Sequence, residues 1–96
     1  MSEASASAAA RELPPPTFEF LVWSLRFQAE AALGLYPQAD GSAPQADVDL
    51  ARHTLDLMAM LEEKTRGNLT MEEKRLLENT LTELRFRFVQ AAGASG

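Results

Sequence analysis

His53 is the single histidine of this 96-residue chain, and it stands with Asp49 and Asp56 at i, i+4 and i+7. On a helix these three share one side, the spacing of a weak His-carboxylate metal site. A transition-metal site with one imidazole lacks the usual soft ligands, and the chain contains no cysteine. The reading adopted is an exposed or hairpin-edge histidine near Glu83, with no metal and no cofactor. The same shortage of reactive groups bears on catalysis. Fourteen Asp and Glu are present, but nearly all fall on polar helix faces, where nothing tunes a carboxylate as a general acid or base. Ser24 and Ser42 are the serines in segments expected to be ordered, and neither has the context of a nucleophile elbow. No glycine-rich phosphate loop occurs. An enzyme is not expected.

Three further clusters have binding chemistry. Lys64, Arg66, Lys74 and Arg75 form a small basic knot around Gly67 and Asn68, where helix N-termini attract anions. Glu72 and Glu73 already occupy that end, and Glu62 and Glu63 dilute the charge. Asn68-Leu69-Thr70 matches a glycosylation sequon, but its place in a tight hinge makes the match accidental. Arg85-Phe86-Arg87-Phe88 has the alternation that stacks on single-stranded bases; Phe88 reads better as core. Phe86 points off the core seam and needs a cover. Met58 reads as core. Met60 lies beside Asp56 and Glu63, off the seam, and is a candidate surface contact.

Nine Lys and Arg against fourteen Asp and Glu give a net charge of −5 and a pI near 4.8. A duplex-DNA binder carries a basic stripe, so nucleic acid is not an expected partner. No apolar run approaches the roughly 18 residues of a membrane span. The opening MSEASASAAARELPPP has no basic n-region and no Leu-rich core, so it is a poor signal peptide. The expected address is the cytoplasm, by elimination.

The elements that position these groups follow from periodicity. Residues 1–16 form an Ala/Ser/Pro-rich tail expected to be disordered, ending in the stiff Pro14-Pro15-Pro16. A single helical domain is expected over 17–92 and a disordered tail over 93–96. Thr17 caps a first helix over 18–33, and Gly34 ends it. Phe18, Leu21, Val22, Leu25, Ala29, Ala32 and Leu33 make one apolar stripe on that helix. Phe20, Trp23, Phe27 and Ala31 make a second. The segment 35–46 (LYPQADGSAPQA) is a loop, read as a solvated crossover with Tyr36 tucked back onto the first helix. Asp47 caps a second helix that reaches Thr65 or Arg66. Gly67 stops it, Asn68 and Leu69 connect, and Thr70 with Glu73 forms a capping box for a third helix. That helix runs from Met71 to Ala91 or Ala92, ends at Gly93, and carries the seam Leu77, Leu81, Leu84, Phe88 and Ala91. A three-residue hinge implies antiparallel neighbours. The fold class is therefore all-α, three helices, with the first packed on a hairpin of the other two. Folding about Asn68 sets Leu50 beside Phe88. It also pairs Glu63 with Lys74, Glu62 with Arg75 and Asp49 with Arg87.

The run LARHTLDLMAMLEEKTRGNLTMEEKRLLENTLTELRFRFV, preceded by LPPPTFEFLVWSL and Leu33-Gly34, strongly resembles the family of domain of unknown function 1844. The KT-(K/R)-GNLT signature, Lys64 to Thr70 here, carries the resemblance, which covers about residues 13–90. It implies a small α-helical protein of bacterial origin. It transfers no activity and maps no catalytic residue. The Ala/Ser N-terminus and the loop 36–46 depart from the pattern.

The second stripe of the first helix carries the functional expectation. Phe20, Trp23 and Phe27 are three aromatics within eight residues. Left bare they make an apolar patch of a few hundred Å², the size that marks an interface. A homodimer or higher oligomer is expected, with an interface of Phe20, Trp23, Phe27, Phe86 and Met60. An unidentified protein partner is also allowed. Gly67, Asn68, Thr70 and Glu73 are the expected hinge. The function read from this is a helical interaction or scaffold module. The alternative is a carrier or sensor holding an apolar small molecule or acyl chain between the first helix and the hairpin.

Overall fold

The computed structural model describes residues 12–95, with side chains through Gly93. Residues 1–11 of the expected tail lie outside the described residues. Three helices, each packed on the other two, make up the fold: α1 (Phe18–Ala32), α2 (Val48–Lys64) and α3 (Met71–Ser95). Among the described residues there is no strand.

Each boundary has a local cause. The Thr17 hydroxyl accepts from the Phe20 N–H at 3.0 Å, satisfying one of the orphan donors of α1. At the other end Leu35 N–H donates to Glu30 C=O and Gly34 N–H to Ala31 C=O. With Gly34 at φ 76°, this is the paired-bond stop that needs a left-handed residue. The capping box at the hinge is reciprocal. Glu73 N–H donates to the Thr70 hydroxyl at 3.1 Å, and Thr70 N–H to the Glu73 carboxylate at 2.8 Å. Gly67 takes φ 85° and Asn68 N–H donates to Thr65 C=O.

The core has one main cluster and one at the far end. Val22 and Ala29 of α1 meet Leu55 and Met58 of α2 and Leu77, Leu81 and Leu84 of α3. Ala32, Leu33 and Ala51 form the second cluster, with Phe88 and Ala91 against it. The C-terminal ends of α1 and α3 therefore meet the N-terminal end of α2, and α2 runs against both.

The structure corrects several details of the sequence reading. Leu21 is 42% exposed and not part of the core stripe. Leu50, expected on Phe88, is 49% exposed; the Phe88 ring instead lies 5.5 Å under the Arg52 guanidinium. The three hairpin ion pairs do not form. Arg87 takes Glu83, four residues back on its own helix, at 3.6 Å. Glu62 and Lys74 both line an opening at the hinge. Gly93 does not end α3, which continues to Ser95. Alanines on both sides offset the roughly 1 kcal/mol that a helical glycine costs.

The loop 33–46 is not a crossover spanning open distance, because its ends touch. Asp47 N–H donates to Ala32 C=O at 2.7 Å. Such closure makes a compact Ω-type loop. It also gives the glycines unequal roles. A Cβ on Gly34 would sit 2.6 Å from the Pro44 carbonyl oxygen, whereas one on Gly67 would meet nothing within 4 Å. Both adopt positive φ, where alanine costs about 1–2 kcal/mol. Gly67→Ala should lose only that. Gly34→Ala should lose about 1–2 kcal/mol more from the collision, read as a larger drop in urea midpoint. Equal losses would show that the loop base yields freely.

Candidate functional site

Helical spacing of three and four puts Phe20, Trp23 and Phe27 on one line of α1, on the side away from Val22 and Ala29. They are 44%, 51% and 58% exposed. The expected second stripe thus exists and is bare in the single chain.

The stripe is braced by a polar network. Arg26 is the centre of it: its Nε donates to Glu30 at 3.1 Å and its Nη2 to Glu83 of α3 at 3.2 Å. The same guanidinium lies 5.2 Å over the Trp23 ring, a cation–π contact. Tyr36 folds back as expected. Its hydroxyl donates to the Glu30 carboxylate, and its ring stacks 5.0 Å from Phe27. Partial burial pushes the Glu30 carboxyl up. The hydrogen bonds from Tyr36 and Arg26, with the charges of Arg26 and Arg87, outweigh that and hold it below the usual carboxylate range. The bond to Glu30 raises the Tyr36 hydroxyl. Trp23 and Phe27 therefore each have a neighbour within the chain, Arg26 and Tyr36, against one side of the ring.

Beside the stripe, a shallow groove of about 420 Å³ runs between α1 and α2, lined by Phe27, Ala31, Leu50 and Thr54 among others. Leu50 in that lining is 49% exposed, and Leu21, elsewhere on α1, is 42% exposed. The sequence reading missed both as surface residues. Each sits at a correct core spacing, and spacing alone cannot tell a stripe's centre from its edge.

The remaining expected interface residues lie elsewhere. Phe86 is 65% exposed and Met60 44%. Each is two residues from a core position on its own helix, Leu84 or Met58, so it faces outward from α3 or α2.

Gly67, alone of the four expected hinge residues, lines a second feature that periodicity could not reveal. An opening of about 510 Å³ lies between the end of α2, the connection and the first turns of α3. Leu69, Met71 and Leu77 give it apolar walls, and Glu62, Arg66, Lys74 and Glu78 complete its lining. The basic knot of the sequence is divided there: Arg66 and Lys74 line the opening, Lys64 and Arg75 do not.

His53, Asp49 and Asp56 are all exposed. Among the described residues no group of three or more His, Cys, Asp or Glu is placed to hold a metal ion. Glu83, expected near His53, is engaged by Arg26 and Arg87. No described helix is long and apolar enough to cross a membrane.

A family model described as a domain of unknown function (DUF1844) matches residues 15–90. No curated protein and no solved structure matches the chain.

Proposed function

The chain belongs to this family of domains of unknown function, and from that premise we propose that it is a non-catalytic helical interaction module that works as a homodimer through the aromatic stripe of α1. One observation carries the reading: Phe20, Trp23 and Phe27 stay about half exposed, with Arg26 over Trp23 and Tyr36 against Phe27.

The occupant that fits is a second copy of the chain. The stripe is nearly symmetric about Trp23, with Phe20 three residues before and Phe27 four after. Two copies crossed antiparallel on a twofold axis set Trp23 against the partner's Trp23 and Phe20 against the partner's Phe27. That is the self-complementary patch a twofold interface requires. Aromatic side chains bury roughly 150–250 Å² each. Half of that for three residues, with Leu50 beside Phe27, makes on the order of 400 Å² of apolar surface per copy. This is at the low end for a specific interface, so association in the micromolar range is expected.

Sedimentation equilibrium between about one and one hundred micromolar, the range set by that affinity class, tests the reading. The mass should rise from 10.5 kDa toward twice that value. A constant 10.5 kDa would end it. The groove between α1 and α2 favours a second reading, a carrier of an apolar molecule or acyl chain. Native mass spectrometry separates the two: a copurified lipid supports the carrier, and a clean dimer the interaction module.

A further inference from the structure

We infer that the opening at the hinge is a binding site for a zwitterion with an apolar body, the chemistry of a free apolar or aromatic α-amino acid. This site is independent of the α1 stripe and stands or falls without it. Its volume, about 510 Å³, lies in the range of small-ligand sites, which run roughly 300–1,000 Å³. Its lining is also of the right kind, with apolar walls and a few convergent charges. Leu69 and Met71 offer the walls.

The charges decide the ligand class. Arg66 and Lys74 bring two positive charges, and Glu62 and Glu78 two negative ones. None of the four makes an ion pair or a side-chain hydrogen bond among the described residues. A simple anion would gain from the cations and be repelled by the carboxylates, and a simple cation the reverse. A molecule that carries both signs close together satisfies both sets at once. A carboxylate on Arg66 or Lys74 gains charge-assisted hydrogen bonds, as does an ammonium on Glu62 or Glu78. The frame is rigid before binding. Gly67 turns at positive φ, Asn68 N–H is bonded to Thr65 C=O, and the Thr70–Glu73 box fixes the start of α3. A fixed frame reduces the ordering cost that weakens small surface sites.

The test titrates the full chain with L-phenylalanine and L-leucine, followed by amide NMR shifts at Gly67, Leu69 and Met71. Two half-ligands serve as comparators: 3-phenylpropanoate, which lacks the ammonium, and phenethylamine, which lacks the carboxylate. The expected result is saturable binding of at least one amino acid at those amides. Each half-ligand should bind L-phenylalanine's site about tenfold more weakly or worse, the value of one charge-assisted hydrogen bond. Lys74→Glu, at an exposed position, should weaken the amino acid by about tenfold as well. Met71→Trp, also exposed, should block the opening and abolish the shifts while leaving the circular dichroism unchanged. The inference is overturned if neither amino acid shifts the hinge amides. It is equally overturned if a half-ligand binds as well as the zwitterion, or if Lys74→Glu has no effect.

Discussion

Trp23→Asp is expected to dissociate the dimer and leave the subunit folded. Trp23 is 51% exposed in the single chain, so an aspartate there meets water and costs the fold little. In the proposed dimer the same position lies at the twofold axis, away from water. Truncating a central aromatic anchor costs at least about 2 kcal/mol. Symmetry counts the loss twice, once for each copy, giving about 4 kcal/mol or roughly a thousandfold in the dissociation constant. Two carboxylates brought together without a counter-charge add to that loss. A micromolar dimer would become a millimolar one, invisible at ordinary working concentrations. The readouts are the mass by sedimentation and the helix content by circular dichroism. The mass should fall to 10.5 kDa at unchanged helicity. His53→Ser is the control, because His53 is exposed on α2 and is not among the proposed interface residues; it should leave the dimer mass intact. An unaltered mass for Trp23→Asp would place the interface on another face.

The second large effect is on stability. Leu81 is 1% exposed and packs in the cluster with Val22, Leu55 and Met58, one contact set from each of the other helices. Leu81→Ala removes buried methyl groups and leaves a cavity that the other helices fill only in part. Such changes cost about 2–5 kcal/mol. A domain of this size has a total stability near the lower part of the 5–15 kcal/mol range, so the variant should be barely folded. At about 4–8 °C per kcal/mol, the melting temperature should fall by roughly 10–30 °C. Val89→Ala, at a position 66% exposed on the same helix, is the comparison and should change little. A loss below about 1 kcal/mol for Leu81→Ala would mean that the three helices do not share one close-packed core. Leu81→Ala should lower helicity and mass together, and Trp23→Asp the mass alone.

All helix boundaries but the end of α3, which passes Gly93, were readable in the sequence because local chemistry sets them. Thr17, Gly34, Asp47, Gly67 and the Thr70–Glu73 pair act within a few residues of themselves, and the structure shows each making its local bond or positive-φ turn. Most of the core was readable from spacing. What failed depended on distances between helices. Leu21 and Leu50 have core spacing yet sit at the edges of their helices' contact faces. The hairpin ion pairs were charges matched along an idealised register, but Arg87 found a nearer partner on its own helix. Nothing local to Arg26 indicates that it bridges Glu30 and Glu83 or covers Trp23. The opening at the hinge exists only where two helix ends and a connection diverge, so no window of sequence contains it. The aromatic stripe was visible from periodicity, and its exposure followed from the small number of helices available to cover it.

The central claim is that a second copy of the chain covers the stripe. The most direct measurement mixes isotope-labelled and unlabelled protein above the dissociation constant and records intermolecular nuclear Overhauser contacts from the Trp23 indole. Contacts from Trp23 to aromatic protons of the other copy, together with Phe20 to Phe27 contacts between copies, are the predicted result. A fully associated sample whose intermolecular contacts arise from Phe86, Met60 or any other face, with none from Trp23, would contradict it.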